Sequence, residues 1–433
     1  MRSDSSGTSS VAVIGGGAIG LMTAYQLSAD GADVTVFDAR DTGRGAAEVN
    51  AGWVCPSLSA PVPGPGMVGK SLKWMLHRDS PLYIRPSLRP DFLKFMFGMW
   101  RACNQPSQQG GFRAHLELAR STADAYQDYR ADGLDFELSD KGLLLAYVDQ
   151  RAFEDEQRNL DVAREFGRDP QVLVGDDVRV HEPLLSDAVR GGVFFPHEQY
   201  LDPVALMRSL HQRLVDRGVR LVEHCSVTGF RRRGERLTHV LTATEAHEFD
   251  DVVIAAGGWT PGLTRPLGYD VPIRPGKGYS IDTPPLSLRS STDLSEAKVA
   301  VTPLGRNLRL AGTMEFGGLD EDLNQPRIDA ILRAPATYFR DWQAPTGCTP
   351  KAGIRPMTPD GLPVIGRLGR FTNTYVCAGH AMMGITMGPA SARAVADLVL
   401  HDRQPDFLAP FSPQRFTARA RQRPLTSART SNP

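Results

Sequence analysis

Three glycines and an aspartate near the start of the chain, with one arginine far downstream, are the residues best placed to do chemistry. Gly15, Gly17 and Gly20 stand in G-x-G-x-x-G spacing directly after the apolar run Val11–Ile14. In such a pattern the first glycine permits a tight turn and the second lets backbone approach a pyrophosphate. The third lets the following helix pack closely on the strand. Ala18 and Ile19 open that helix, whose free N–H groups and partial positive charge suit phosphates. Asp38 ends a second apolar run, where a carboxylate can accept from both hydroxyls of a ribose. It would repel a 2′-phosphate, which argues against NADP. Ala39 and Arg40 follow as further candidate contacts. A plain glycine-rich turn is the alternative, and the register of strand, helix, Gly31 and second strand argues against it.

The elements around this fingerprint point to a flavin dinucleotide. After Asp38 the alternation of strand and helix stops, and GRGAAEVNAGWVCPSLSAPVPGPG (43–66) begins. Small residues in such a loop let backbone amides press against a flat ring system. Only one G-x-G-x-x-G is present, which disfavours a separate nicotinamide domain. A later strand, Asp251–Ile254, breaks into Ala255, Ala256, Gly257 and Gly258, and can return to the first sheet and pass beside the nucleotide. Val376–His380 repeats this form, and a helix is expected from Gly384 to Leu400. Its amino end would direct positive charge at the flavin edge.

Bulk properties set the limits. With 433 residues the chain can build two to three domains and a large core. Lys+Arg and Asp+Glu both total 49, so net charge offers no argument for a nucleic-acid partner. Cys55, Cys103, Cys225, Cys348 and Cys377 are scattered, with no CxxC pair or metal-ligand spacing, which suits a reducing compartment. The polar start MRSDSSGTSS is unlike a secretory signal, and no apolar run is long enough to span a bilayer. A cytoplasmic protein is expected. Phe92–Trp100 (FLKFMFGMW) is the richest apolar patch, read as a core helix or as a peripheral membrane or partner contact. From Phe411 to Pro433 the chain is basic and polar, and a disordered tail is expected, with Arg419, Arg421 and Arg423 free to meet lipid or a partner.

Several blocks together resemble the D-amino acid oxidase superfamily, and most closely its bacterial D-amino acid dehydrogenases. They are VNAGWVCPSLSAP, KWMLHRDSPLYIRPSLRPDF, PIRPGKGYSID, KVAVTPLGRNLRLAGTMEF, GIRPMTPDGLPVIG and AGHAMMGITMGPAS. The resemblance implies an α/β (α+β) two-domain protein: a Rossmann-like FAD-binding domain and a substrate domain on a mainly antiparallel sheet. Segments 1–65, 180–265 and 350–410 would bind FAD, and 66–179 with 266–349 would form the substrate domain. It further implies FAD contacts from Asp38, from Asn50, Ala51 and Gly52 near the ring, and from Val227 at the adenine. Gly353, Gly379, Gly384, Ile385 and Thr386 would lie along the isoalloxazine. Some relatives tether FAD through a cysteine where Gly353 stands, and Cys348 is out of that register, so FAD is expected to be noncovalent.

Arg355 is the first candidate for substrate. In G-I-R-P its backbone is stiffened by the following proline, and a guanidinium clamps a carboxylate in bidentate geometry. Similar enzymes use an arginine there; a structural ion pair is the alternative. Tyr279 could line the pocket or be a core tyrosine, and Lys277 could touch backbone or flavin. His380 could hydrogen-bond the ring or support its loop. Arg309 falls near a position where oxidase relatives carry a lysine that helps activate oxygen, which leans toward a dehydrogenase. Met382, Met383 and Met387 would form an adaptable apolar wall, or belong to a helix core.

The expected reaction is oxidation of a D-amino acid by hydride transfer from Cα, giving an imine that hydrolyses to a 2-oxo acid and ammonia. Electrons would pass to a quinone, oxygen or another acceptor. A glycine/sarcosine-type or D-proline/hydroxyproline-type oxidase using oxygen is one alternative. A flavin subunit of a larger electron-transfer complex is another.

Overall fold

The computed structural model describes residues 8–74, 80–157 and 160–416. Arg419, Arg421 and Arg423 lie outside the described residues, as do 75–79 within the second of the quoted blocks. Along the chain, β1 (Ser10–Ile14), α1 (Ala18–Ala29) and β2 (Asp33–Phe37) come first, then α2 (Pro90–Ala102) and β3 (Asp251–Ile254). They are followed by β4 (Arg274–Thr283), β5 (Ser291–Leu294), β6 (Val299–Leu304) and β7 (Asn307–Phe316). β8 (Pro350–Met357), β9 (Thr374–Ala378) and α3 (Gly384–His401) complete the set that builds the site.

Two large sheets organise the molecule. The first has six strands in the order Arg220–Val222, β2, β1, β3, β9 and Val364–Arg367, all pairings parallel except the last. Its central strands are apolar without alternation because helices or a second layer cover both faces. Val11, Ala12 and Val13 have no exposure at all. β3 thus returns to the first sheet beside β1, and β9 joins the sheet on the far side of β3. α1 and α3 lie together on one face, and a side chain at Gly388 would collide with Met22 of α1.

The second sheet has nine strands and is mainly antiparallel. Its order is β8, β4, β7, β6, β5, Leu143–Tyr147, Gly191–Phe195 and Gln171–Val174, with Leu82–Ile84 paired alongside β7. Gly191–Phe195 and β8 belong to this sheet although they fall in segments 180–265 and 350–410. The two-layer mixed architecture agrees with the expected fold class.

One stretch departs from expectation. Residues 411–416, read as the start of a disordered tail, form packed 3₁₀ turns. Phe411 is fully buried, and Arg415 grips Asp360 through Nε at 2.8 Å. Basic composition concealed one apolar anchor and one ion pair.

Candidate functional site

A cavity of about 1070 Å³ opens between the two sheets, and most of the expected cofactor residues line it. Gly15, Gly17, Ala18 and Ile19 form one end, Asp38, Ala39 and Arg40 the next, and Val227 lies in the 225–228 segment of the same wall. Gly15 has φ +109°, and a Cβ there would stand 2.6 Å from the Ala255 oxygen, so both conformation and space demand glycine. Gly20 lies against the Gly15 carbonyl and serves packing, whereas Gly17 has open space before it. Asp38 accepts from the Gly16 N–H at 2.6 Å and the Arg40 N–H at 2.8 Å. A carboxylate offers about four lone-pair positions, so acceptor capacity remains for a diol.

Opposite this wall, the 44–51 loop is held by Arg309. Its Nη1 donates to the carbonyls of Glu48 at 3.0 Å and Asn50 at 3.1 Å. Nε and Nη2 grip Asp282 at 2.7 and 2.9 Å. Arg309 is therefore a positioning residue and does not line the cavity. Asn50 in turn accepts from the Gly52 N–H at 2.8 Å and donates to the Met382 carbonyl at 3.2 Å, joining the loop to the start of α3. Asn50 and Ala51 line the cavity, while Gly52 is taken up by close approach to the Leu201 carbonyl.

The amino end of α3 meets the same space. Gly384, Ile385 and Thr386 line the cavity, and Gly384 has nothing in front of it. First-turn N–H groups lack intrahelical acceptors and carry the positive end of the helix dipole. The turn is anchored from behind by Tyr126 and Thr122, which donate to the carbonyls of Ile385 and Thr386, each at 2.7 Å. Thr386 also donates to the Trp53 carbonyl at 3.0 Å. Ala256 and Gly257 close the side, with Gly257 again open to the cavity.

Gly353 and Gly379 do not face this space. A Cβ at Gly353 would strike Val49, and at Gly379 it would stand 2.9 Å from Thr358. They are required for packing, and Ile354 presents a side chain to the cavity instead. Tyr279 also lies elsewhere: it is fully buried and donates to Glu315 at 3.1 Å, with burial pushing its phenol up. Lys277 is buried too, against Asp320 at 2.7 Å and the Asp322 carbonyl at 2.9 Å. Met382 and Met383 line the cavity, while Met387 belongs to the core.

Arg355 reaches the cavity from β8. Its guanidinium lies over the bare Cα of Gly278 in β4 and donates to the Thr313 carbonyl of β7. Among the described residues no carboxylate lies within 4 Å of it. Burial lowers its pKa to about 10, so it stays charged at neutral pH. His380 lines the cavity with its Nε2 3.0 Å from the Ser391 hydroxyl, and its buried Nδ1 has no partner. Burial lowers its pKa to about 3, which fixes a neutral ring. Sequence reasoning missed Ala46, Ala47 and Trp53, and the sheet residues Asp293, Ala300, Ala311 and Thr313. The short side chains within β6 and β7 were the available signal.

The donor set suits a long dinucleotide carrying a flavin. Open glycines and the first turn of α1 would suit phosphates, the spare acceptor capacity of Asp38 would suit a ribose diol, and α3 opens against the far end.

Comparison with known proteins agrees. The profile of the family described as FAD dependent oxidoreductase matches residues 10–398. A D-amino acid dehydrogenase from Methylobacterium sp. (strain 4-46) is 34% identical over 403 residues, covering 90% of this chain and 94% of the relative. Among solved structures, glycine oxidase from Geobacillus kaustophilus superposes with TM-score 0.75 at 23% identity, covering 94% of this chain and 99% of that one. L-proline dehydrogenase from P. horikoshii gives 0.73 at 19%, with coverage of 95% and 98%. The geometry and these matches agree, and the chain belongs to the FAD-dependent oxidoreductase family.

Proposed function

We propose that this protein oxidises a D-amino acid at its Cα–N bond, and that the unpaired Arg355 guanidinium is the observation that carries the reading. A half-buried cation facing a cavity without a protein carboxylate is costly unless a ligand supplies one. The substrate carboxylate completes that site, as a charge-assisted and preferably bidentate pair. Gly15, Gly17, Asp38, Ala51 and the first turn of α3 would hold FAD, which would supply a two-electron acceptor for the hydride lost from Cα. The residues of the chain then have a positioning task, worth several powers of ten in rate. Arg355 fixes the carboxyl end, Met382 and Met383 exclude water, and the neutral His380 neither supplies nor takes a proton at working pH. The amine enters as free base. Loss of hydride and a proton gives the imine, which water converts to a 2-oxo acid and ammonia. The relative from Methylobacterium, a D-amino acid dehydrogenase, supports the choice of substrate class and enantiomer. The division into a cofactor half (1–65, 180–265, 350–410) and a substrate half (66–179, 266–349) belongs to the same proposal, with Gly191–Phe195 and β8 shared across it.

Anaerobic titration of the flavin-loaded protein tests this. Bleaching of the oxidised flavin band by D-amino acids and not by L-amino acids is expected. A band that no amino acid bleaches would overturn it. Readmitting air then separates an oxygen-using enzyme from one that needs a quinone or other acceptor.

For that acceptor we propose a quinone, reached at a membrane surface through α2. No helix among the described residues is long and apolar enough to cross a membrane. Yet Leu88 (90% exposed), Leu93, Phe97 and Trp100 form an uncovered apolar face. Exposed Arg85, Arg89, Lys94 and Arg101 lie in the same stretch of chain, Arg89 and Lys94 each near a carboxylate (Asp91 and Asp270), a mix of charge and apolar surface that suits anionic lipid. Co-sedimentation with phosphatidylglycerol vesicles, lost in the double variant Phe97→Ser, Trp100→Ser, is the expected result. Equal sedimentation of both proteins would remove this proposal.

A further inference from the structure

Along one face of the large sheet, three strands place Asp293, Ala300 and Ala311 side by side. The register pairs Asp293 of β5 with Ala300 of β6, and Ala300 with Ala311 of β7. Side chains alternate across a sheet, so directly paired residues share a face. Ala311 pairs onward with Ser280 of β4, and Gly278, two residues before it, carries the Arg355 guanidinium on that same face. Asp293, Ala300, Ala311, Thr313 and Arg355 all line the one cavity. An alley floored by two alanines therefore runs from a cation to a carboxylate. It crosses three strand spacings, from β5 to β4, roughly 14 Å.

Asp293 is poorly provided for by the protein itself. The Ser295 hydroxyl donates to its Oδ2 at 3.1 Å. Among the described residues no Lys, Arg or His lies within 4 Å of it. Lys298, in the turn between β5 and β6, is the nearest cation to act on it and is itself exposed at the rim. On the outer side its register partner is the buried apolar Leu145, and its charge is felt at the buried Cys55 and Tyr147. Such surroundings disfavour a bare carboxylate unless a ligand brings a positive charge.

We infer that Asp293 selects amino acids whose side chain ends in a cation, with Arg355 on the substrate carboxylate and the side chain lying over Ala300 and Ala311. This rests on the proposed function. A lysine-, ornithine- or arginine-like chain, with a hydrogen bond at each end, spans the alley. An apolar chain of equal length would fill the alley and leave the Asp293 carboxylate covered with only the Ser295 hydroxyl to bond it, and sites built for a polar group reject such analogues strongly.

The test compares kcat/KM for lysine and norleucine, which differ only by the terminal ammonium, using whichever enantiomer reduces the flavin of the holoenzyme. The expected ratio favours lysine by about tenfold or more, and falls by a similar factor in Asp293→Asn, mainly through KM. A ratio unchanged in the variant, or a wild-type ratio below one, overturns the inference. The wild-type ratio decides the matter alone should the variant fail to fold. If no amino acid reduces the flavin, the proposed function fails instead. Oxidation of norleucine with no preference for lysine fails only the present inference.

Discussion

The guanidinium of Arg355 rests on the bare Cα of Gly278, in the space that a side chain at that position would fill. The two residues lie on neighbouring antiparallel strands, with Arg355 paired to Gly276, two residues before Gly278. The glycine is therefore part of how the arginine is aimed. Gly278→Ala is expected to displace the guanidinium and raise KM for amino acid by about 10- to 100-fold, with smaller change in kcat. Flavin content should persist, because Gly278 does not line the cofactor cavity. Arg355→Lys keeps the charge but loses the planar fork, and kcat/KM should fall by about 100-fold or more. Steady-state kinetics at a fixed acceptor concentration, with the flavin absorbance recorded for each variant, check both.

Burial brings the Arg355 pKa down to about 10, which gives a pH signature. The group is cationic below that value and neutral above it, so carboxylate binding is present at low pH and lost as pH rises through about 10. A simple aliphatic carboxylate without an amine isolates this ionisation. Its inhibition constant should be flat to about pH 9 and then rise toward tenfold per pH unit. A constant that stays flat to pH 11 would separate Arg355 from carboxylate binding.

Arg309 fixes the 44–51 loop through two of its carbonyls and is itself held by the Asp282 carboxylate of β4. Replacing it by methionine removes both carbonyl contacts and strands Asp282, which is one-third exposed and so partly relieved by water. FAD affinity should weaken by about tenfold or more, read as flavin fluorescence released on dilution. The lysine-to-norleucine preference should be preserved in whatever protein keeps its flavin, because Arg309 touches neither Asp293 nor Arg355.

Two buried imidazoles predict the acid limb of stability. Burial lowers His380 to about 3 and His115 to about 4, below the ordinary value near 6.5. Both are neutral when folded and protonate when the chain unfolds, so the unfolded state binds more protons below pH 6.5. Stability is thus complete above that value and drains away as pH falls toward 4. Each group contributes a slope of about 1.4 kcal/mol per pH unit over that window. Thermal melts from pH 7.5 to 5 should show the decline, and His115→Gln should make it shallower even if it lowers the melting temperature at pH 7.5.

How much of this could be read beforehand depended on the range of the interaction. The roles of Gly15, Gly17 and Asp38 were legible because a strand, a turn and a helix within thirty residues determine them. Gly353 and Gly379 sit in the right motifs but face Val49 and Thr358, since a motif gives position without side-chain direction. Strand alternation could have corrected Tyr279: it is adjacent to Gly278 in β4 and so must project to the other face. The row Asp293, Ala300, Ala311 depends on register between three strands, which no local pattern declares. Residues 411–416 hid their packing behind arginines and polar neighbours.

The pairing of β1 with β3 joins Val11 to Asp251, and β9 lies beyond β3 in the same sheet. During synthesis the first strand, paired early with β2, therefore waits for its second partner 240 residues away. At typical elongation rates that is a delay on the order of 10 to 50 s. Until the chain reaches Gly384 the cavity also lacks its closing helix. A nascent or truncated chain can display the glycine fingerprint and still hold no flavin, and its unpaired apolar strands are open to aggregation. Flavin capture is thus a check on completed synthesis, and ample FAD during expression should raise the soluble yield by stabilising only finished molecules.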